Sequence, residues 1–310
     1  MAADGRTRSP VQNPQSKIER VALIGNGPRA ETRAEAVRAA EGAGLAEHLP
    51  EATAAGVIQR QEAAFDVGFL CGTPGRRVER AEAALRQGRH LFLEWPPAAS
   101  AAKAERLATR AEEAGAEVGV SRPLRFHPLF DAVPEGARAQ LVTARARWAS
   151  GGGPCQRQTL TDALDLCGVL AGSRGGAAGV RRLDAQAAPP SSDGADDGAD
   201  ARFGAVAAGL RFHSGTYATL DLRRARSDGD DESAPPQRRL YAAGPAFELD
   251  ADLDDPADLD DPEGTARERL LRQETRAFLR ALAAGRPAPV SLLDARPAMR
   301  LTERIMQRLR

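Results

Sequence analysis

Apolar and polar positions alternate in two different ways along this chain of 310 residues. In the first third, short apolar runs alternate with Ala/Glu/Arg-rich stretches. Residues 20–25 (RVALIG) form an apolar run that stops at Gly-Asn-Gly, as expected of a buried parallel strand feeding a tight turn. Pro28 then opens a helix to about residue 40, since proline suits a first helical turn. Residues 66–71 (DVGFLC) predict the next buried strand, 76–87 a helix closed by Gly88, 90–93 a strand, 100–114 an amphipathic helix and 117–120 a further strand. This alternation predicts a doubly wound parallel sheet. The stretch from Ala30 to Asp66 is short for the helix, strand, helix and strand it should contain. Residues 44–49 (GLAEHL) make a poor strand, so the expectation is an eroded second strand, with Glu47 an ordinary surface residue.

Beyond Arg125 the period changes to two. Residues 140–148, 201–212, 216–222, 238–241 and 246–249 alternate as strands with one face on a core, predicting an open antiparallel sheet. Helices are expected at 161–170, 267–284 and 294–309. The division that follows is a disordered tail over 1–18, an α/β domain over 19–122 and an α+β domain over 123–310.

Lysine plus arginine equals aspartate plus glutamate at 43 each, so no basic field is available to attract nucleic acid or an anionic membrane. The acidic residues concentrate at 193–200, 228–232 and 250–261, between strands, where solvated loops are expected. Residues 250–261 imitate calcium-loop spacing. However, Asp255 stands where glycine is needed and Asp261 where a bidentate glutamate is needed, so no metal site is expected. The three cysteines, Cys71, Cys155 and Cys167, show no CxxC spacing, which suits a reducing cytoplasm better than a disulfide framework. Residues 1–18 lack the apolar core of a signal peptide, and no stretch reaches the ~20 apolar residues of a membrane span. The four histidines are scattered and form no paired metal spacing.

Gly25-Asn26-Gly27-Pro28-Arg29-Ala30 reads GxGxxA between a strand and a helix. The first glycine permits the turn, the second lets backbone approach a pyrophosphate, and the helix N-terminus attracts it. Pro28 removes one N–H donor from that cradle. Arg29, Arg76 and Arg77 lie near the phosphate end. The nearest candidate for an adenosine-binding acid, about 20 residues past the turn, is Glu47.

Thr73-Pro74, Gly88-Arg89-His90, Glu94-x-Pro96, Arg125-Phe126, Pro128, Gly151-Gly152-Gly153, Phe212, Gly215, Ala218, Glu274, Phe278, Gly285, Pro287 and Asp294-Ala295 follow in an order that resembles the Gfo/Idh/MocA (glucose–fructose oxidoreductase / inositol dehydrogenase) family. The resemblance covers most of 19–306. It implies a Rossmann-type domain joined to an open-sheet α+β domain, and NAD or NADP lying between them. Cofactor contacts would come from Gly25, Asn26, Gly27, Arg29, Thr73, Pro74, Glu94 and Pro96. It also implies a sugar, polyol or related hydroxyl compound as substrate, and a homodimer formed through the C-terminal sheet.

The departures fall on the chemistry. Trp95 stands at the family's catalytic lysine, and its indole cannot titrate. Asp162 stands at the family's histidine and Gln158 at the preceding aspartate. Asp162 and Asp165, three apart on one helical face, can replace the missing base, because crowding raises one carboxylate's pKa. The competing expectation is that Thr161 or Asp162 caps the helix. For Trp95 the alternatives are a stacking surface or a buried aromatic filling the lysine's space. An NAD(P)-dependent oxidoreductase is the leading expectation. A catalytically inactive binding or partner subunit is the rival.

Overall fold

The computed structural model describes residues 18–40, 44–50, 65–72, 74–148, 156–172, 179–189, 203–224, 238–255 and 265–309. Residues 1–17 of the tail predicted over 1–18, Thr73, the triple glycine and the acidic stretches at 193–200 and 228–232 lie outside them. Ile18, which the expected tail included, is buried against the first sheet.

That sheet contains β1 (Arg20–Ile24), β2 (Gly44–Leu49), β3 (Val67–Leu70), β4 (His90–Leu93) and β5 (Val118–Val120). All pairs are parallel, in the order β2-β1-β3-β4-β5. Helices α1 (Pro28–Arg38), α2 (Pro74–Leu85) and α3 (Ala101–Glu113) connect them. Every residue of β3 and β5, and all but the first of β4, is buried, which explains why these strands read as apolar runs. The order reverses between β1 and β3, the switch point where ligands of open α/β sheets sit.

The second strand is not eroded. Residues 44–49 pair with β1 from Arg20↔Gly44 to Ile24↔Leu49, with a bulge between Val21 and Ala22. Strand β2 is hard to read from sequence because it lies at an edge of the sheet with only one neighbouring strand among the described residues. Leu45, Glu47 and Leu49 are half-buried and alternate with exposed residues. A strand supported on one edge needs few apolar residues. Glu47 is therefore a half-buried strand residue rather than a plain surface one.

The second sheet holds β6 (Leu141–Trp148), β7 (Val180–Ala188), β8 (Ala205–Phe212), β9 (Tyr217–Arg224), β10 (Arg238–Gly244) and β11 (Phe247–Asp252), in the order β11-β10-β6-β9-β8-β7. It is mixed rather than wholly antiparallel, because β6 and β9 run parallel. Helix α4 (Gln156–Leu170) and the β7–β8 hairpin supply the crossover that a parallel pair requires. Strand β7 was not foreseen. It lies at the sheet edge, and Leu183 is its one buried residue. Val142, Ala144, Val206, Leu210, Leu220 and Leu240 face α4 in one core.

The last two helices, α5 (Ala266–Ala283) and α6 (Leu292–Arg308), bind the two sheets together. Phe278 of α5 meets Phe69 and Phe92 of the first sheet at 5.9 and 5.0 Å between ring centroids. Ala298, Leu301 and Ile305 of α6 join the second core, while Leu292, Ala295 and Met299 join the first. A Ser291–Asp294 capping box starts α6 where Ser291 bridges Gly119 of β5.

Candidate active-site cleft

The glycine turn sits at the carboxyl end of β1. Gly25 has φ +129°, and a Cβ there would lie 2.7 Å from the Gly72 nitrogen, so the close approach to the end of β3 requires glycine. Gly27, with φ +96°, caps α1 without a side chain, and a Cβ there would enter open space. Asn26 is exposed beside it. His48, at the end of β2, places Nε2 3.0 Å from the Gly25 carbonyl oxygen. Nothing in the local sequence marks His48 for this turn, 23 residues away.

Of the three arginines expected near phosphate, Arg29 faces the cleft, with its guanidinium 3.7 Å from Glu94. Arg76 is exposed. Arg77 departs from the expectation: it turns inward and donates to the backbone oxygens of Glu94, at 2.8 Å, and of Pro96 and Gly72. It thereby ties the loop after β4 to the loop after β3. Pro74 opens α2, and Pro96 follows a cis Trp95–Pro96 bond.

Behind this loop lies a buried polar cluster that the sequence reading did not anticipate. Arg33 of α1 is fully buried. Its Nε donates to Glu94, Nη1 to Thr275 (2.8 Å) and to the Leu271 carbonyl (3.5 Å), and Nη2 to Ser121 (2.8 Å) and Glu274 (2.7 Å). Burial pushes the Glu94 carboxyl up, but Arg33 and Arg29 outweigh it and hold Glu94 below the usual range. Glu274 shares Arg33 and stays raised by burial. The available signal was positional: Arg33 shares a helix face with buried Ala30, Ala34 and Val37.

The cleft opens beside Glu94, between the switch point and α4. Trp95 is 8 % exposed. The guanidinium carbon of Arg122 stacks 3.3 Å from its ring centroid. Arg122 Nη1 donates to Asp162 Oδ1 at 2.8 Å. Arg125 grips Asp165 with two bonds, Nε to Oδ2 at 2.7 Å and Nη2 to Oδ1 at 2.6 Å. Trp95, Asp162 and Asp165, far apart in the chain, thus line one cleft.

Neither Thr161 nor Asp162 caps α4, because the helix begins five residues earlier than expected, at Gln156. The Thr161 hydroxyl instead donates to the Arg157 carbonyl oxygen at 2.6 Å and meets the Thr302 hydroxyl at 2.8 Å. The two aspartates are driven apart. Burial raises Asp162 despite Arg122 and Arg238. At Asp165 burial is outweighed by Arg125 and Arg122, and the carboxyl is held low. Burial also lowers Arg122.

No lysine or histidine lines the cleft among the described residues. His127 is buried at the junction of two short 3₁₀ turns, with Nδ1 accepting from the Leu129 N–H at 3.2 Å. His90 accepts from Glu117 N–H at 3.0 Å. Among the described residues no three His, Cys, Asp or Glu side chains are grouped to hold a metal ion, and no helix is long and apolar enough to cross a membrane.

Residues 4–122 match the GFO_IDH_MocA family, described as an oxidoreductase family with an NAD-binding Rossmann fold. Among solved structures, the chain is similar to a myo-inositol dehydrogenase from Corynebacterium glutamicum ATCC 13032 (14% identity, TM-score 0.72, 94% of this chain and 96% of that one). It is also similar to UDP-N-acetylglucosamine 3-dehydrogenase GnnA from Acidithiobacillus ferrooxidans (18%, 0.68, 94% and 97%). A third is biliverdin reductase from Synechocystis sp. PCC 6803, in complex with biliverdin and NADP+ (19%, 0.64, 94% and 98%). At these identities the likeness is one of fold, and it extends over nearly the whole chain. No curated protein sequence matches.

Proposed function

We propose that this chain is an NAD(P)-dependent oxidoreductase of the Gfo/Idh/MocA family, whose model its residues 4–122 match, acting on a sugar, polyol or related hydroxyl compound. The observation that carries the reading is the glycine turn. It stands at the switch point with open space above Gly27 and adjoins a cleft holding a carboxylate of raised pKa. The residues fit a dinucleotide: Gly27 presents backbone without a Cβ at a helix N-terminus, and Arg29 adds a cation beside it. Gly25, Asn26, Gly27 and Arg29 would hold the pyrophosphate side, with Pro74, Glu94 and Pro96 on the nicotinamide side; Thr73, which the family resemblance adds, lies outside the described residues. When bound, the nicotinamide supplies a hydride acceptor or donor.

The chain's own part is proton handling and orientation. Asp162 Oδ takes the proton of the substrate hydroxyl, and its raised pKa suits a base. Arg122 holds that carboxylate in place and is itself held against the Trp95 ring. Asp165 stays ionised and fixes Arg125. Myo-inositol and UDP-N-acetylglucosamine, named for two structural neighbours, both carry ring hydroxyls, which accords with this substrate class. The domain limits 19–122 and 123–310, a homodimer through the outer face of the second sheet and a cytoplasmic location belong to the same proposal.

Titration of NADH and NADPH, followed by calorimetry and tryptophan fluorescence, tests it. Saturable micromolar binding is expected, weakened about tenfold or more by Gly27→Ala, whose methyl would occupy the pyrophosphate's approach. Absence of binding of both nucleotides at millimolar concentration would remove the oxidoreductase reading. One observation favours the second reading, a silent partner subunit: no lysine or histidine lines the cleft among the described residues. Tight NADH binding without turnover across a polyol and sugar panel would select it.

A further inference from the structure

Arg122 lines the cleft with its side chain 2 % exposed, and its hydrogen bonding is incomplete. Nη1 serves Asp162, whereas Nε and Nη2 are buried without an acceptor among the described residues. These two N–H groups form the edge of a guanidinium that grips both oxygens of a planar anion. Arg125, three residues on, shows the same edge filled, by both oxygens of Asp165. Asp165 is taken by Arg125 and Asp254 by Arg238, while Glu94 gives Oε1 to Arg33 and turns Oε2 toward Arg29 at 3.7 Å. The Trp95 ring covers the guanidinium at 3.3 Å and leaves the unfilled edge to one side. Buried donors without acceptors are costly, which favours a partner that arrives from outside. The charge balance points the same way, since five arginines and three carboxylates line the cleft among the described residues.

We propose that the substrate carries a carboxylate that seats on the Nε/Nη2 edge of Arg122, making it a hydroxy acid or sugar acid rather than a neutral polyol. This deepens the oxidoreductase reading and rests on it for the presence of a hydroxyl to be oxidised. Carboxylate binding can nevertheless be measured without turnover. The neighbouring Asp162 then faces the substrate from the same guanidinium, so the fork sets the carboxylate at a fixed distance from the base.

The test is calorimetric titration of the full-length protein with glycolate, lactate, L-tartrate and D-gluconate, against propane-1,2-diol and D-glucitol as uncharged counterparts. Each is run with and without saturating NADH. At least one acid should bind about tenfold or more tighter than its neutral counterpart. Arg122→Gln should abolish that preference, and Arg122→Lys, which keeps the charge without the fork, should lose most of it. Thermal unfolding of each variant confirms the fold, and Arg122→Lys serves alone if Arg122→Gln does not fold. Equal or absent binding of acids and neutral compounds overturns the proposal, as does a preference that survives in both variants. Tighter binding of inorganic phosphate than of every acid overturns the carboxylate assignment. A loss of NADH affinity in Arg122→Gln, with no acid preference in the unaltered protein, assigns the fork to the dinucleotide and also overturns it. NADH titration alone reports separately on the oxidoreductase reading.

Discussion

Arg33 and Arg122 lie in the same half of the molecule, both almost wholly buried and both against an aromatic ring: Phe92 at 4.5 Å for Arg33, Trp95 at 3.3 Å for Arg122. They differ in what surrounds their N–H groups. Each nitrogen of Arg33 donates to an acceptor drawn from the loop after β4, from α5 or from the residue after β5. Arg122 uses one nitrogen and leaves two idle. The two clusters even share a carboxylate, since Glu274 accepts from Arg33 and from the Arg122 backbone N–H. Complete satisfaction marks a group that holds the fold, and incomplete satisfaction at a cleft marks one that waits for a ligand.

The comparison breaks most readily at Arg33. Replacing it by methionine leaves Glu94 and Glu274 buried together without their shared cation. We expect a loss of about 3–5 kcal/mol in urea unfolding. A loss under about 1 kcal/mol would mean that the cluster is not structural. Second in size is Asp162→Asn, expected to lower alcohol oxidation by about 10²–10⁴-fold with NADH affinity unchanged.

The pH profile sharpens that test. The groups facing Asp162 are Arg122, Arg238 and Arg29 from other elements and Asp165 from its own helix. With its pKa raised, oxidation should fall on acidification through a value above the ordinary ~3.9 of aspartate, and Asp162→Asn should flatten the curve. Stability has the opposite sign at the two aspartates. Asp165, held low, contributes stability above ~3.9 that is lost as pH falls through its folded value. Asp162, raised, favours the folded state most below ~3.9, and that contribution is lost as pH rises through its folded value. Urea midpoints of Asp165→Asn and Asp162→Asn across the acid range should therefore move in opposite senses.

The smallest effect is expected at Arg122. Substitution by leucine removes one charged hydrogen bond and a stacking contact but also relieves two unsatisfied donors. Its cost in urea should be about 1–2 kcal/mol, well below that of Arg33. Equal costs for the two arginines would erase the distinction between them.

How much was legible depended on where each segment lies. Strands β1, β3 and β4 were readable because they are buried within the sheet and so are continuously apolar. Strands β2 and β7 were not, because an edge strand can fold with polar residues at most positions. The parallel pairing of β6 with β9 was invisible, since a period of two carries no direction. In the cleft, Trp95, Asp162 and Asp165 could be singled out beforehand, whereas Arg122, which joins Trp95 to Asp162, could not. In a chain whose 43 basic residues include two lysines, one arginine looks like another.

The sequence by itself determined the alternation of apolar runs and helices, the change to a period of two, the glycine turn and the absence of a lysine at position 95. Each of these is written in local order, where neighbouring residues must share a face or permit a turn. Tertiary structure decided which arginine became a closed hub and which an open fork. Arg33 meets acceptors 61 and 241 positions away, at Glu94 and Glu274, and Arg122 meets Asp162 across 40. Whether a buried donor finds its acceptor depends on which elements pack together, and local sequence does not specify that.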